Sequence, residues 1–367
     1  MSFKVQATSG KARAGTLATD HGSVQTPAFM PVATQATVKG LEPRTLTEMG
    51  ARMAIMNTYH LWLRPGPELI AELGGLHSFS RFPHVIVTDS GGFQAFSLAQ
   101  RTRTSDAGFE FSSHLDGKRC FLSPEEAMRV QGLLGSDIAM QLDICAPANS
   151  SPEELVQAVE QTTRWAKRCL ASRRVGQAVF GIVQGGSNVA LRLRHAEELA
   201  SLPFEGLALG GFSVGEPPEL MHQTLREVVF RMDAARPRYL MGVGTQQDLI
   251  RAIGAGVDMF DCVLPTRNAR NGQAFLTNGK LVIRNQKFRD DPRVLEPGCS
   301  CPTCELGFSR AFIRHAYMAG EMTALRLITV HNLHLYQSLV AEARLSILQG
   351  EFEPWAARRL ERLNIEP

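Results

Sequence analysis

Eight short apolar runs, most of them followed by a stretch with helix signals, constrain this chain more than any other feature. They fall at residues 27–32, 53–57, 84–89, 138–143, 178–184, 206–211, 238–243 and 259–263. Ser123-Pro124-Glu125-Glu126 and Ser151-Pro152-Glu153-Glu154 each set a capping serine, a proline at the first helical position and a glutamate three residues past the cap. Gly135 stands where the first of these helices needs a left-handed terminating residue. After the second, Leu155, Val159, Thr162, Ala166 and Cys169/Leu170 recur at helical spacing and predict one buried stripe. Eight strands interleaved with helices predict an α/β fold, a (β/α)8 TIM barrel. An open doubly wound sheet is the alternative, but no G-x-G-x-x-G follows an early strand.

The first thirty residues predict an N-terminal hairpin, with Gly15 and His21-Gly22 as turn residues. With 44% hydrophobic and 20% charged residues, a chain of 367 can bury a large core and is not disordered. There is no run of eighteen apolar residues, so no membrane partner is expected. The start, MSFKVQATSGKARAG, lacks an apolar signal segment, which makes the cytoplasm the expected location.

Seven cysteines are an odd number, and three of them crowd into Cys299, Cys301 and Cys304. That usage argues for a metal in a reducing compartment rather than a disulfide framework. His331 follows after 26 intervening residues and completes a closed tetrahedral set for one structural Zn2+; His315 and His334 are competing fourth ligands. His331 reads as the start of a helix, HNLHLYQ. Cys120, Cys145, Cys169 and Cys262 read as reduced core residues. Residues 268–303, where the strand–helix alternation breaks into short polar pieces, read as an inserted zinc-binding subdomain. The expected segments are therefore 1–264, barrel and hairpin; 265–335, a zinc-binding basic lobe; and 336–367, C-terminal helices packed on the barrel. Residues 264–314 hold nine Lys/Arg and four Asp/Glu, a local +5, while the rest of the chain sums to −2. A basic patch on a near-neutral body fits a phosphate-backbone binder, although a solvated basic face has the same composition.

Barrel chemistry sits at the C-terminal ends of the strands. Those ends read Asp89-Ser90-Gly91-Gly92, Asp143, Gln184-Gly185-Gly186, Gly210-Gly211, Gly242-Val243-Gly244 and Asp261. A lone Asp or Gly at a strand end is usually a turn or a cap. Carboxylates, an amide and glycine pairs recurring at one end of successive strands point to a shared site for a flat ligand, because glycine lets backbone approach closely.

The motifs TDSGGFQ (88–94), VQGG (183–186), LGGFSVGE (209–216), RYLMGVG (238–244), MFDCVLPTRNARNG (259–272) and CSCPTC (299–304) resemble those of the queuine tRNA-ribosyltransferase (tRNA-guanine transglycosylase) family, bacterial type. The resemblance covers essentially the whole chain. It implies a homodimer that replaces the wobble guanine of tRNAs with G-U-N anticodons by a 7-deazaguanine base. It further implies Asp261 as nucleophile and Asp89 as acid/base. Ser90, Asp143, Gln184 and Gly211, with Phe212 beside it, would hold the base, Phe93 and Met241 would pack on it, and Arg267 and Arg270 would read the flanking uridines of the anticodon loop. No nucleotide or Mg2+ cofactor is implied.

The residue types suit that chemistry. Breaking a glycosidic bond builds oxocarbenium character at the ribose C1′, which a carboxylate can stabilise and trap. Covalent capture then splits one hard displacement into two easier ones. One group can protonate the departing guanine and deprotonate the incoming base. Asp143 can accept from guanine N1–H and the 2-amino group, while the Gln184 amide and the Gly211 N–H can donate to O6.

Within the family pattern, Ile144 takes the place of a commoner acidic residue, and Phe212 that of a commoner leucine. Val214 and Cys145 resemble members that use 7-aminomethyl-7-deazaguanine, with Glu216 supporting the loop near Phe212; queuine itself is the alternative base. A non-catalytic tRNA-binding paralogue would lack the nucleophile, and a zinc hydrolase would need a histidine cluster at the strand ends, which this sequence does not have.

Overall fold

The computed structural model describes residues 1–97 and 100–363; residues 364–367, the tail of the expected C-terminal segment, lie outside the described residues. Its main sheet is parallel throughout and joins nine pieces. Two of them, Ala28–Met30 and Val32–Ala33, are one strand interrupted at Pro31, whose ring nitrogen has no hydrogen to give the ladder. Ala28–Met30 pairs with Met259–Asp261, and Val32–Ala33 pairs with Met53–Met56, so this strand closes the ring. The Pro31 carbonyl still accepts from Ile55 N–H at 3.1 Å. The remaining strands, third to seventh, are Val85–Thr88, Ile138–Met140, Ala178–Val183, Gly206–Leu209 and Arg238–Leu240. All eight expected strands form, most of them shorter at one or both ends than the apolar runs.

Alternation sorts each strand. Met53, Ile55, Val85, Val87, Ile138, Met140, Phe180 and Ile182 fill the barrel interior, whereas Ala54, Ile86, Ala139 and Val179 face the surrounding helices. Gly206 is required here: a Cβ on it would lie 2.4 Å from the Phe180 ring that fills the interior.

The helix caps behave as their sequences demand. Ser123 Oγ accepts from Glu126 N–H, and Gly135 ends that helix at φ 71°. Ser151 and Glu154 close a full capping box on the helix Pro152–Ala171. Its buried stripe is Ala158, Val159, Thr162, Trp165, Ala166 and Cys169. Leu155 is only half-buried.

Three expectations need correction. The N-terminal hairpin is a three-stranded antiparallel sheet, Ser2–Ser9, Ala12–Thr19 and Gly22–Thr26, and Gly15 lies inside its central strand. Gly15 is small because the Phe3 ring and the Lys4 carbonyl cover the place of a Cβ, at 3.1 and 2.9 Å. Second, a three-stranded antiparallel sheet, Gln100–Thr104, Phe109–Ser112 and Arg119–Leu122, is inserted after the third barrel strand. Its central strand alternates buried Phe109 and Phe111 with exposed Glu110, a short signal that the neighbouring polar residues dilute. Third, His331 does not begin a helix: one 27-residue helix, Met322–Leu348, runs through it. That helix also crosses residue 335, so the lobe and the C-terminal segment share an element. Among the described residues no helix is long and apolar enough to cross a membrane.

Leu17 and Val24 of the N-terminal sheet close the barrel floor. The sheet is anchored by Arg13, whose Nε and Nη2 donate to the two oxygens of buried Asp258 at 2.8 and 2.6 Å. Asp258 also accepts from Arg238 N–H at 2.7 Å. Arg13→Ala strands this carboxylate and is expected to cost about 3–5 kcal/mol, read as the shift in urea denaturation; a loss below about 1 kcal/mol would place the anchor elsewhere.

Candidate active site and metal centre

Asp261 ends the eighth strand and points into the mouth of the barrel. Its Oδ1 accepts from Tyr239 Oη at 2.6 Å and from Gly242 N–H at 2.7 Å. Burial raises its carboxyl above the ordinary range, and the two donors oppose that rise. Both bonds land on Oδ1.

Asp89 follows the third strand. Its Oδ1 accepts from Thr58 N–H at 2.8 Å, and its Oδ2 accepts from the side-chain amides of Asn57 and Gln94. Burial is the main cause that pushes Asp89 up to about 7; the Asp261 charge pushes the same way, against the Thr58 and Gly91 N–H groups. The two carboxylates therefore feel each other across the site. A carboxyl that titrates near neutrality is suited to giving and taking a proton.

Asp143 stands three residues past the fourth strand. Its Oδ2 accepts from Gln184 Nε2 at 2.6 Å and its Oδ1 from Ser90 Oγ at 3.3 Å. Burial raises it to about 6, opposed by those two donors. Gly211, at φ 67°, leaves no room for a side chain: a Cβ there would lie 2.3 Å from Gln184 Oε1. Ser90, Asp143, Gln184 and Gly211 thus meet in one patch, as their strand-end positions predict.

Phe93 is 49% exposed and lines, with Asp143, Ile144 and Cys145, a cleft of about 260 Å³ beside this patch. Met241 is half-buried at the top of the interior packing. Phe212 is 5% exposed, with its ring against Arg192. Of the cysteines read as core, Cys169 and Cys262 are buried, while Cys120 and Cys145 are only half-buried; Cys145 is a wall of the cleft. Arg267 and Arg270 lie on the helix Leu264–Arg270, directly after Asp261. Arg270 donates to Thr266 O, and Arg267 is exposed.

The second centre is compact. Cys299, Cys301 and Cys304 place their sulfurs 3.6, 3.5 and 3.6 Å from His331 Nδ1. A tetrahedral ion bonded at ~2.3 Å to sulfur and ~2.0–2.1 Å to nitrogen requires an edge of about 3.6 Å. The opposite ring nitrogen, His331 Nε2, is 2.7 Å from Phe275 O, which fixes its proton and turns the Nδ1 lone pair toward the sulfurs. These four residues fit a metal ion. His334 contacts Ser300 Oγ instead, and His315 lies on the separate helix Arg310–Met318. Neighbouring sulfurs hold the Cys301 thiol far above its usual range, a cost that a cation removes.

A second histidine-rich group, His21, His77 and Asp137, does not share that chemistry. His77 Nε2 faces two acceptors, His84 O at 3.1 Å and Asp137 Oδ2 at 3.2 Å, so it carries its proton and has no lone pair to offer. With His21 on Asp137 Oδ1 at 2.8 Å, the group clasps the N-terminal sheet to the barrel floor.

Tyr239, Asn57, Thr58 and Arg192 belong to the site and were missed in sequence. Tyr239 sits two residues before Met241, so strand alternation gives both the same face. Asn57-Thr58 directly follows the second strand, as the cap and first residue of a helix. Arg192 occupies the apolar face of its helix with Leu191, His195, Ala196 and Leu199, and a lone arginine in such a stripe is a sign of buried polar work.

Comparison with known proteins agrees with this arrangement. A family model described as queuine tRNA-ribosyltransferase matches residues 8–364. A protein of that name from Sorangium cellulosum is 60% identical, covering 97% of this chain and 90% of its own. Those from Moorella thermoacetica and Aromatoleum aromaticum are 52% and 47% identical, covering 96% and 98% of this chain and 95% and 97% of their own.

Cys301→Ser is expected to abolish stoichiometric metal binding and to expose residues 273–305 to protease while the barrel stays folded. Metal analysis with limited proteolysis checks this, and retention of a full equivalent of metal would contradict the ligand assignment.

Proposed function

Since the chain belongs to the queuine tRNA-ribosyltransferase family, we propose that it is a tRNA-modifying pentosyltransferase that exchanges the wobble guanine of G-U-N anticodons (tRNAs for aspartate, asparagine, histidine and tyrosine) for 7-aminomethyl-7-deazaguanine. The observation that carries this reading is the pairing of Asp261, held by one oxygen, with Asp89 near neutrality, beside the Asp143–Gln184–Gly211 patch.

In the first half-reaction Asp261 Oδ2 attacks C1′ of the target ribose, and the bond to guanine breaks as Asp89 protonates the leaving base. The charge coupling favours this order. Once Asp261 is an ester it no longer repels Asp89, whose carboxyl then prefers to be ionised. Asp89 is thereby left as the base for the second half, in which it takes a proton from the incoming 7-deazaguanine as that base displaces Asp261. Two inversions retain the β-anomer.

Asp143 would accept from N1–H and the 2-amino group, and Gln184 and the Gly211 N–H would donate to O6. An unpaired partner at any of these costs ~1–3 kcal/mol, which selects guanine-like bases. The half-exposed Phe93 and Met241 would sandwich an extruded base. Glu216 accepts from the N–H groups of Ser213 and Val214 and so fixes the loop whose backbone carbonyl near Phe212 would accept from the aminomethyl group.

The Cys3His centre is read as structural zinc: all four positions are protein ligands, so it would shape the lobe and take no part in the reaction. Arg284, Lys287 and Arg289, like Arg267, stand exposed and would meet the anticodon stem phosphates. Leu306, Met318 and Met322, at 74%, 60% and 81% exposure, are apolar side chains that the second subunit of a homodimer would cover.

Asp261→Ala is expected to abolish a denaturation-resistant enzyme–tRNA adduct while leaving tRNA affinity within about threefold; an adduct that persists would move the nucleophile to another residue. The single-turnover rate of adduct formation should fall as pH rises through about 7, because the ionised Asp89 has no proton to give. Asp89→Asn should remove that limb along with most of the rate. A profile that rises across the same range would assign the proton to another group.

A further inference from the structure

Beneath the proposed base pocket lies a cation that the mechanism does not use. Arg192, on the helix Val189–Ala200, is fully buried, and among the described residues it forms no ion pair within 4 Å. Its guanidinium is satisfied by backbone carbonyls instead. Nε donates to Gly186 O at 2.5 Å, Nη1 to Val183 O at 3.1 Å, and Nη2 to Gly210 O at 2.9 Å and Gly211 O at 3.4 Å. The Phe212 ring centre lies 3.7 Å from the guanidinium carbon. Burial pulls the group down to about 9, so it is still a cation at neutral pH.

These four carbonyls belong to the exits of two neighbouring strands, the fifth and the sixth. A peptide unit is planar and trans, so its carbonyl and its N–H point in opposite directions. By holding the Gly210 carbonyl, Arg192 aims the Gly211 N–H away from itself, to the side where Cys145 stands. By holding the Val183 carbonyl, it orients the peptide whose N–H belongs to Gln184. That N–H donates to His195 Nδ1 at 2.9 Å, one turn along the same helix. The Gly211 N–H read above as a donor to O6 is thus aimed by this fork, and the main chain from which the Gln184 side chain projects is anchored by it.

We infer that Arg192 is a positioning residue for base specificity: stacked on Phe212, it locks the Gly210–Gly211 and Val183–Gln184 peptides so that the Gly211 N–H and the Gln184 amide converge on the O6 edge of a purine. The inference rests on the base-pocket reading in the preceding subsection. A lysine cannot replace it, since a single ammonium lacks the planar fork that reaches both strand exits. Phe212 acts on the base through Arg192, because the face of an aromatic ring attracts a cation and an aliphatic side chain does not.

The test is equilibrium binding of guanine and of 2,6-diaminopurine, which carries an amino group in place of O6, to the wild-type enzyme, Arg192→Lys and Phe212→Leu. Melting temperature and tRNA affinity are measured alongside. Wild type is expected to prefer guanine strongly. Arg192→Lys should weaken guanine by roughly tenfold or more, the size of one lost pocket hydrogen bond, and bind diaminopurine nearly as wild type does, so that the preference narrows. Phe212→Leu should narrow it in the same direction by less, and should add nothing in the Arg192→Lys background. A guanine preference within twofold of wild type in Arg192→Lys overturns the inference. Equal weakening of both purines does so too, since that is what general loss of structure produces. If wild type binds guanine no better than diaminopurine, the base-pocket reading itself falls; that outcome is separate from a failure confined to the variants.

Discussion

Three carboxylates share the barrel mouth, and a neutral donor set is what holds them there. Asp89, Asp143 and Asp261 are satisfied by backbone N–H groups, amides and hydroxyls from Thr58, Asn57, Gln94, Gln184, Ser90, Tyr239 and Gly242. Buried negative charge without a cation is costly, so each group sits above its ordinary range. A cation placed against any of them would relieve the cost and lower its affinity for a proton, so that Asp89 could no longer hold one near neutrality. The strand ends meet this constraint because their exposed N–H groups supply donors without charge.

Positive charge is kept one layer down. Arg192 faces carbonyls below the pocket, and Arg13 faces Asp258 at the opposite end of the barrel. At the floor, the closed Arg13–Asp258 ion pair and the hydrogen bonds of His21 and His77 to Asp137 tie the N-terminal sheet down. Asp137 shows the contrast, because its donors hold it down to about 2 despite burial. The two ends of one barrel thus divide the work, with paired charge where the fold must hold and unpaired charge where a ligand must bind.

The metal centre links to the active site through consecutive residues. His331 faces the three cysteines, and its neighbour Asn332 accepts from Phe275 N–H and donates to the carbonyls of Pro265 and Gln273. Pro265 belongs to the helix that carries Arg267 and Arg270 and starts three residues after Asp261. Order in the lobe is therefore passed to the segment just beyond Asp261 by hydrogen bonds to backbone.

The barrel was legible because burial on both faces forces apolar strands, and because serine caps and Gly135 act within one turn of chain. The cysteine trio and the strand-end polar residues were legible for the same local reason. Tertiary structure alone decided which partners those groups have: that Tyr239 grips Asp261, that Asn57 and Thr58 hold Asp89, that Gly15 yields to Phe3 rather than to a turn, and that Arg192 reaches two strands at once. Each of these joins segments brought together only when the ring closes. A linear sequence specifies what a side chain can donate or accept, whereas which group lies within 3 Å of it depends on how the whole barrel packs.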